Sequence, residues 1–192
     1  MKKLPYVAIV LMAVQLLLML VSWIYSAAFP ASGVRSLLSG EGIRWFLGLF
    51  ADTLATPLLV WLLLLSMAYG CMRRCGVFSF QGTYREGRAR MVTLLLLVIF
   101  IAVLPLLTAM PHAVLLSATG RLWPSPFSAS IIPVVAFLGI LLSCVYGIVS
   151  GRFDTLSGIY DALLYGIRSG APFLLFYVLV AQVYASLLFC FL

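Results

Sequence analysis

Charged side chains are what this sequence has least of. Asp, Glu, Lys and Arg make up 9% of its 192 residues, whereas a soluble domain carries roughly a quarter. So little charge cannot cover a water-facing surface, which excludes a soluble fold. Acids are scarcest. Glu41, Asp52, Glu86, Asp154 and Asp161 are the full set, and each falls at the end of an apolar run or at an interface. An acid at the centre of a membrane helix would be a functional candidate by default, and none stands there. His112 is the only histidine, and its place near the end of an apolar run suits an interfacial residue better than a proton carrier. No nucleophile–base pair and no glycine-rich phosphate loop behind a strand can be assembled from the rest. The sequence predicts no enzyme and no cofactor.

Cysteine is sparse too. Cys144 and Cys190 sit inside apolar runs as small packing residues. Cys71 and Cys75 stand one helical turn apart in C-M-R-R-C, half of a zinc site by spacing. No His or Cys pair lies near enough to complete four ligands. Packed or solvated thiols are expected there, and no metal.

What is abundant is hydrocarbon, at 65% of the chain. It comes in continuous runs of about 20 residues, the length a bilayer core asks of a helix. The runs do not alternate as barrel strands do. The expected fold is therefore all-α: a polytopic helical membrane protein forming a single membrane domain over 1–192. About five transmembrane helices are predicted, near 4–29, 53–72, 91–116, 131–150 and 173–192. The first run is longer than a signal-peptide core and reads as an uncleaved helix ended by Pro30.

Two shorter segments, 40–51 and 154–168, have the spacing of amphipathic interfacial or re-entrant helices. In the first, Ser39 is placed to cap the helix and Glu41 to meet its dipole. Ile43, Phe46, Leu47 and Phe50 share a face there, with Arg44 off it. In the second, Leu156, Ile159, Tyr160, Leu163, Leu164 and Ile167 recur at helical spacing, and Asp154, Asp161 and Arg168 lie off that face. Gly170-Ala171-Pro172 is expected to end it.

The net charge is +7. The basic residues sit beside apolar runs, where they set topology, so nucleic-acid binding is not expected. Lys2, Lys3, Arg73, Arg74, Arg85, Arg88, Arg90, Arg152 and Arg168 fall on one side of the predicted membrane, and Arg35, Arg44 and Arg121 on the other. That bias predicts a multi-pass protein of the plasma (inner) membrane, N-terminus inside and C-terminus outside. The lipid bilayer is its first partner, with anionic headgroups a further contact for the basic loop.

Two stretches carry a resemblance. V-R-S-L-L-S-G-E-G-I-R-W (34–45), continuing to P-L-L-V (57–60), is similar to a V-x-N-L-L-S-x-x-G-I/L-R-W stretch and the helix after it in the p-aminobenzoyl-glutamate transporter (AbgT) family. Tyr146-Gly147, the segment ending near Ile167 and L-V-A-Q (179–182) resemble that family's Y-G…D-V…M…F-A-A-Q-F pattern. Residues 86–127, with R-A-R-M-V, P-L-L and W-P-S-P-F, are similar to the helix and loop leading into it.

The resemblance implies a transporter relative moving anionic aromatic amides such as p-aminobenzoyl-glutamate. It also implies a short one: family members carry hairpins between the equivalents of Phe78 and Arg85 and beyond Gln182. What remains resembles the scaffold through which members dimerise, so a homodimer or another membrane subunit is the implied partner.

Gln182 and Arg44 fall at matched positions and are the candidate contacts to a small anionic substrate. By its own chemistry, Gln182 is a polar group in an apolar run, which ordinarily bonds a neighbouring helix for about 1 kcal/mol. Gly147 and Gly151 stand at the spacing that lets helices approach closely, and they are the candidate packing pair. Gly166 and Gly170 share that spacing at a predicted helix end. A non-transporting scaffold or accessory subunit is the alternative function.

Overall fold

The computed structural model describes residues 4–30, 33–78, 82–109 and 126–192. His112, Pro111 and Arg121 lie outside them, as does the end of the predicted third span. Among the described residues there are seven helices and no strand, the helical membrane class that the composition predicts. In chain order they are α1 (Leu4–Ala28), α2 (Gly40–Gly48), α3 (Phe50–Leu54), α4 (Pro57–Cys75), α5 (Tyr84–Ala109), α6 (Pro126–Ser150) and α7 (Leu156–Phe191). By length and composition α1, α4, α7 and the Ser130–Ser150 part of α6 can each cross a membrane.

Proline and glycine set most of these boundaries. α4 opens on Pro57, at the first helical position, where a missing N–H removes no bond and φ is already helical. α4 stops at Gly76, whose φ of +70° is left-handed. α6 stops at Gly151 (φ +74°). The N–H groups of Arg152 and Phe153 then fold back onto the Gly147 carbonyl at 2.8 and 3.0 Å, closing the orphaned end of that helix. Residues 40–51, predicted as one helix, are two. The chain leaves helical geometry at Leu49 (φ −99°, ψ 10°), directly after Gly48, a poor helix former. Ser39 caps α2 as predicted, accepting from the Gly42 N–H at 3.0 Å, with Glu41 in the first turn.

The largest departure is at 154–192. The break expected at Gly170-Ala171-Pro172 is absent, and α7 runs 36 residues with Pro172 inside it. A proline removes one N–H, the donor to the carbonyl four residues earlier. That single loss does not end the element, even with Gly170 two residues before the proline. At 1.5 Å per residue α7 is about 54 Å long, well beyond a hydrocarbon core of about 30 Å.

The chain forms two compact units. The first comprises residues 1–59 and 171–192. It holds α1, α2, α3 and the C-terminal half of α7. The outer face of α1, including Ile9, Leu16, Leu17 and Ile24, is exposed, as suits a helix facing lipid. The second unit, 60–170, is centred on Cys71, Cys75, Ala89, Tyr146, Phe153 and Ala162, so the C-M-R-R-C thiols are packing groups. Within it α5 packs along α6.

In this second unit α4 meets the first half of α7 backbone to backbone. A Cβ on Gly166 would stand 2.2 Å from the Ser66 carbonyl oxygen, and one on Gly70 would stand 2.4 Å from the Gly166 backbone. Ala162, Gly166 and Gly170 are therefore the buried face of this segment. The predicted apolar face is partly outward, with Leu156 85% exposed and Tyr160 61%.

Candidate functional site

A helix buried in hydrocarbon satisfies its own backbone, so its buried polar side chains must find partners from elsewhere. In the first unit α1 and α7 present such groups. Gln15 and Ser22 stand two turns apart on α1, and Gln182, Ser186 and Cys190 recur every four residues on α7. Both spacings keep the residues on one helix face. Gln15 Nε2 donates to Ser186 Oγ at 2.8 Å, and Ser186 is fully buried. Ser22, 2% exposed, donates to the Met19 carbonyl at 2.9 Å and accepts the Leu37 N–H at 3.2 Å.

Two acceptors in this seam have no partner among the described residues. They are Gln15 Oε1 and Gln182 Oε1, and Gln182 is only 7% exposed. An unsatisfied buried amide costs about 1–3 kcal/mol, an unusual expense next to a lipid phase.

The same unit has a cleft of about 240 Å³ lined by Trp23, Ser26, Ala27, Ser36, Leu38 and Ser39. The loop that builds its wall is held tightly. Ser36 Oγ accepts the Leu38 N–H at 3.2 Å, Ser39 Oγ donates to the Ser36 carbonyl at 2.7 Å, and Gly42 admits the Ser36 and Leu37 backbone to within 2.3 Å of where a Cβ would be. The same loop covers the end of α7. The Arg35 N–H donates to the Cys190 carbonyl at 3.1 Å, one of the last carbonyls the helix cannot satisfy itself. Phe189 stacks on Trp45 with centroids 4.5 Å apart, and the Arg35 guanidinium lies over the Phe189 ring at 5.9 Å.

Further along α7, Tyr177 serves the break between α3 and α4. Its hydroxyl bonds the Thr56 hydroxyl and donates to the Leu54 carbonyl at 3.2 Å. The Leu54 carbonyl also accepts the Thr56 N–H at 2.8 Å, so Tyr177 adds a second donor at the turn before Pro57.

The predicted site residues are dispersed. Gln182 is in the seam. Arg44 is exposed on α2, and no contact joins it to Gln182. Gly147 lies in the second unit, where a Cβ would stand 2.2 Å from the Phe153 ring. Its small size admits a ring from the following loop and no second helix. Gly151 ends α6 at φ +74°, where a Cβ would stand 3.5 Å from the Arg85 guanidinium and meet no backbone of a second helix. Close helix packing belongs instead to Gly70, Gly166 and Gly170, because their missing Cβ atoms face backbone or Ser66 on the opposite helix.

Glu86 is also in the second unit, buried and paired with Arg152 at 2.8 Å, tying the start of α5 to the residue beyond α6. Among the described residues no group of His, Cys, Asp and Glu could hold a metal ion. Gln15, Ser22 and Ser186 were not singled out from the sequence. The available signal was that Gln15 is the one amide in the first apolar run, and that Ser186 follows Gln182 by one turn.

The sequence profile of the AbgT putative transporter family matches residues 78–190, more than half of the chain. The chain belongs to this family. No curated protein and no solved structure shows a comparable match. The AbgT match includes Gln182, Ser186 and the 146–182 stretch on which the resemblance rested, and it takes in 86–127 as well. It leaves out the 34–60 stretch, Arg44 and the α1 side of the seam. AbgT membership makes this a membrane protein of the transporter type and agrees with an absence of enzymatic chemistry.

Proposed function

We propose that this AbgT family member carries p-aminobenzoyl-glutamate-like anionic aromatic amides across the inner membrane, working as a homodimer or with a second membrane subunit. The observation that supports it most is the position of Gln182: a buried amide on a spanning helix, its Oε1 without a partner among the described residues, inside the family-matched region. Intramembrane polar groups of this kind accompany substrate pathways far more often than lipid-facing surfaces. The excess of basic residues favours the approach of an anion. Purified protein in liposomes is expected to accumulate labelled p-aminobenzoyl-glutamate, alone or when reconstituted with a co-purifying membrane subunit. No accumulation in either preparation would sink the proposal.

A second reading, a non-transporting scaffold or accessory subunit, draws support from the acids. The one buried carboxylate, Glu86, is engaged by Arg152, and Glu41, Asp52, Asp154 and Asp161 are exposed. No carboxylate is left inside a span to couple transport to protons. On this reading the protein remains bound to its partner through detergent purification and moves no substrate in any reconstitution.

A further inference from the structure

One face of α5 changes character along its length. Tyr84, Arg88, Met91, Leu95 and Val98 recur at steps of four and three, which keeps them in one stripe, and all five are exposed. The stripe begins with a phenol and a guanidinium and continues as hydrocarbon. From Arg88 to Val98 is about 15 Å along the axis, the depth of one leaflet in a hydrocarbon core of about 30 Å. A phospholipid has the same order of parts.

At the polar end of the stripe is a cleft of about 450 Å³ lined by Thr83, Tyr84, Gly87, Arg88 and Met91. Gly87 keeps it open. A Cβ there would have no other atom of the protein within 4 Å, so nothing else fills the space that the missing side chain leaves. The charges nearby are sorted by direction. Arg88 lines the cleft, whereas the Arg85 guanidinium lies beside Gly151 at the end of α6. Glu86 is buried and held by Arg152 at 2.8 Å, and among the described residues no carboxylate lines the cleft. A phosphate would meet a guanidinium and two hydroxyls there, and an ammonium would meet no acid.

We infer that this cleft binds one anionic phospholipid, its phosphate against Arg88 and the Thr83 and Tyr84 hydroxyls, and an acyl chain along Met91, Leu95 and Val98. Charge on the basic loop draws anionic lipid to the surface in general. The cleft gives a single headgroup a fixed place. A zwitterionic lipid is the poorer occupant because its ammonium has no carboxylate to meet. A free phosphate is poorer because it leaves the apolar stripe unused. The inference does not depend on what the protein transports.

The test uses the full chain, stripped of lipid in a nonionic detergent. Equilibrium binding is compared for dioctanoyl phosphatidylglycerol, dioctanoyl phosphatidylcholine and glycerol 3-phosphate, a phosphate without acyl chains. The wild type is expected to bind phosphatidylglycerol about tenfold tighter than phosphatidylcholine, the scale of one hydrogen bond to a charged group, and to bind glycerol 3-phosphate only weakly. Arg88→Gln is expected to abolish the preference. Arg88→Lys keeps the charge without the planar fork; it guards against a glutamine variant that does not fold, and it is expected to retain part of the preference. Gly87→Leu keeps every charge and fills the cleft. It is expected to weaken phosphatidylglycerol binding about tenfold without lowering the melting temperature of the lipid-free protein, since the new side chain enters open space. Arg85→Gln is expected to stay within about twofold of the wild type, because its guanidinium does not line the cleft.

Equal binding of the two lipids by the wild type overturns the assignment. Undiminished phosphatidylglycerol binding in Gly87→Leu overturns it too, as do equal losses in Arg85→Gln and Arg88→Gln, since either result is a diffuse charge effect without a site. Glycerol 3-phosphate bound as tightly as phosphatidylglycerol overturns the lipid in favour of a soluble anion.

Discussion

Glycines carry two different jobs here, and only their surroundings tell them apart. Gly166 has the Ser66 carbonyl oxygen 2.2 Å from where a Cβ would be, and Gly87 has nothing within 4 Å. A Cβ at 166 would meet backbone, which cannot swing aside. Gly166→Leu is therefore expected to cost about 1–3 kcal/mol, the usual range for overpacking, or more if α4 and α7 part. Gly87→Ala lies in open space near the start of α5 and should be neutral or gain up to about 1 kcal/mol. Thermal unfolding of both variants in one detergent checks the contrast, and equal behaviour would contradict it. The G-x-x-x-G spacing was visible at both 147–151 and 166–170. It could not reveal that Gly147 faces the Phe153 ring, because that ring is delivered by the turn after α6.

Helices end or continue here according to how many backbone groups are lost at once. Pro172 sits inside α7 and removes a single donor, so α7 survives it. Between α3 and α4, Ala55 and Thr56 leave the helix and Pro57 brings no N–H, so the break needs outside help. Tyr177 supplies it through Thr56 and the Leu54 carbonyl. Tyr177→Phe keeps the ring and deletes the hydroxyl. It removes the bond to the Thr56 hydroxyl and one of the two bonds to the Leu54 carbonyl, which keeps the Thr56 N–H. The expected loss is about 1–3 kcal/mol, read as a lowered melting temperature with the helical circular dichroism at low temperature unchanged. A Phe variant as stable as the wild type would show that the break is satisfied some other way. Tyr177 was legible in the sequence only as one more aromatic in an apolar run. Its role depends on a residue 121 positions away.

For the molecule as a whole, the basic residues and the spanning helices make one joint prediction. Among the described residues α1, α4, α6 and α7 are long and apolar enough to cross. With α5 as a fifth crossing, as the run length predicts, the N-terminus and the Arg85–Arg90 segment are expected to face the cytoplasm and the C-terminus outward. α7 is longer than a hydrocarbon core, so its Asp161 and Arg168 half is expected to lie at the inner surface and its Gln182 half within the membrane. A phosphatase fused after Leu192 should be active and one fused after Arg90 inactive, and a cytoplasmic fluorescent reporter should show the reverse. Activity at both positions would refute the crossing count.

The helical membrane class, most helix limits and family membership follow from sequence because their causes are local. Run length, proline and glycine stops, and capping residues act within a few positions of one another. Which residues belong to the site does not follow in that way. Gln15 meets Ser186 across 171 positions, and Arg152 reaches Glu86 across 66. Gln182 was visible as an amide in hydrocarbon, but whether it was already satisfied could be decided only by the packing of α7. That the Oε1 atoms of Gln182 and Gln15 lack partners is a property of the fold: burial removes water from both oxygens, while Gln15 Nε2 is bonded to Ser186.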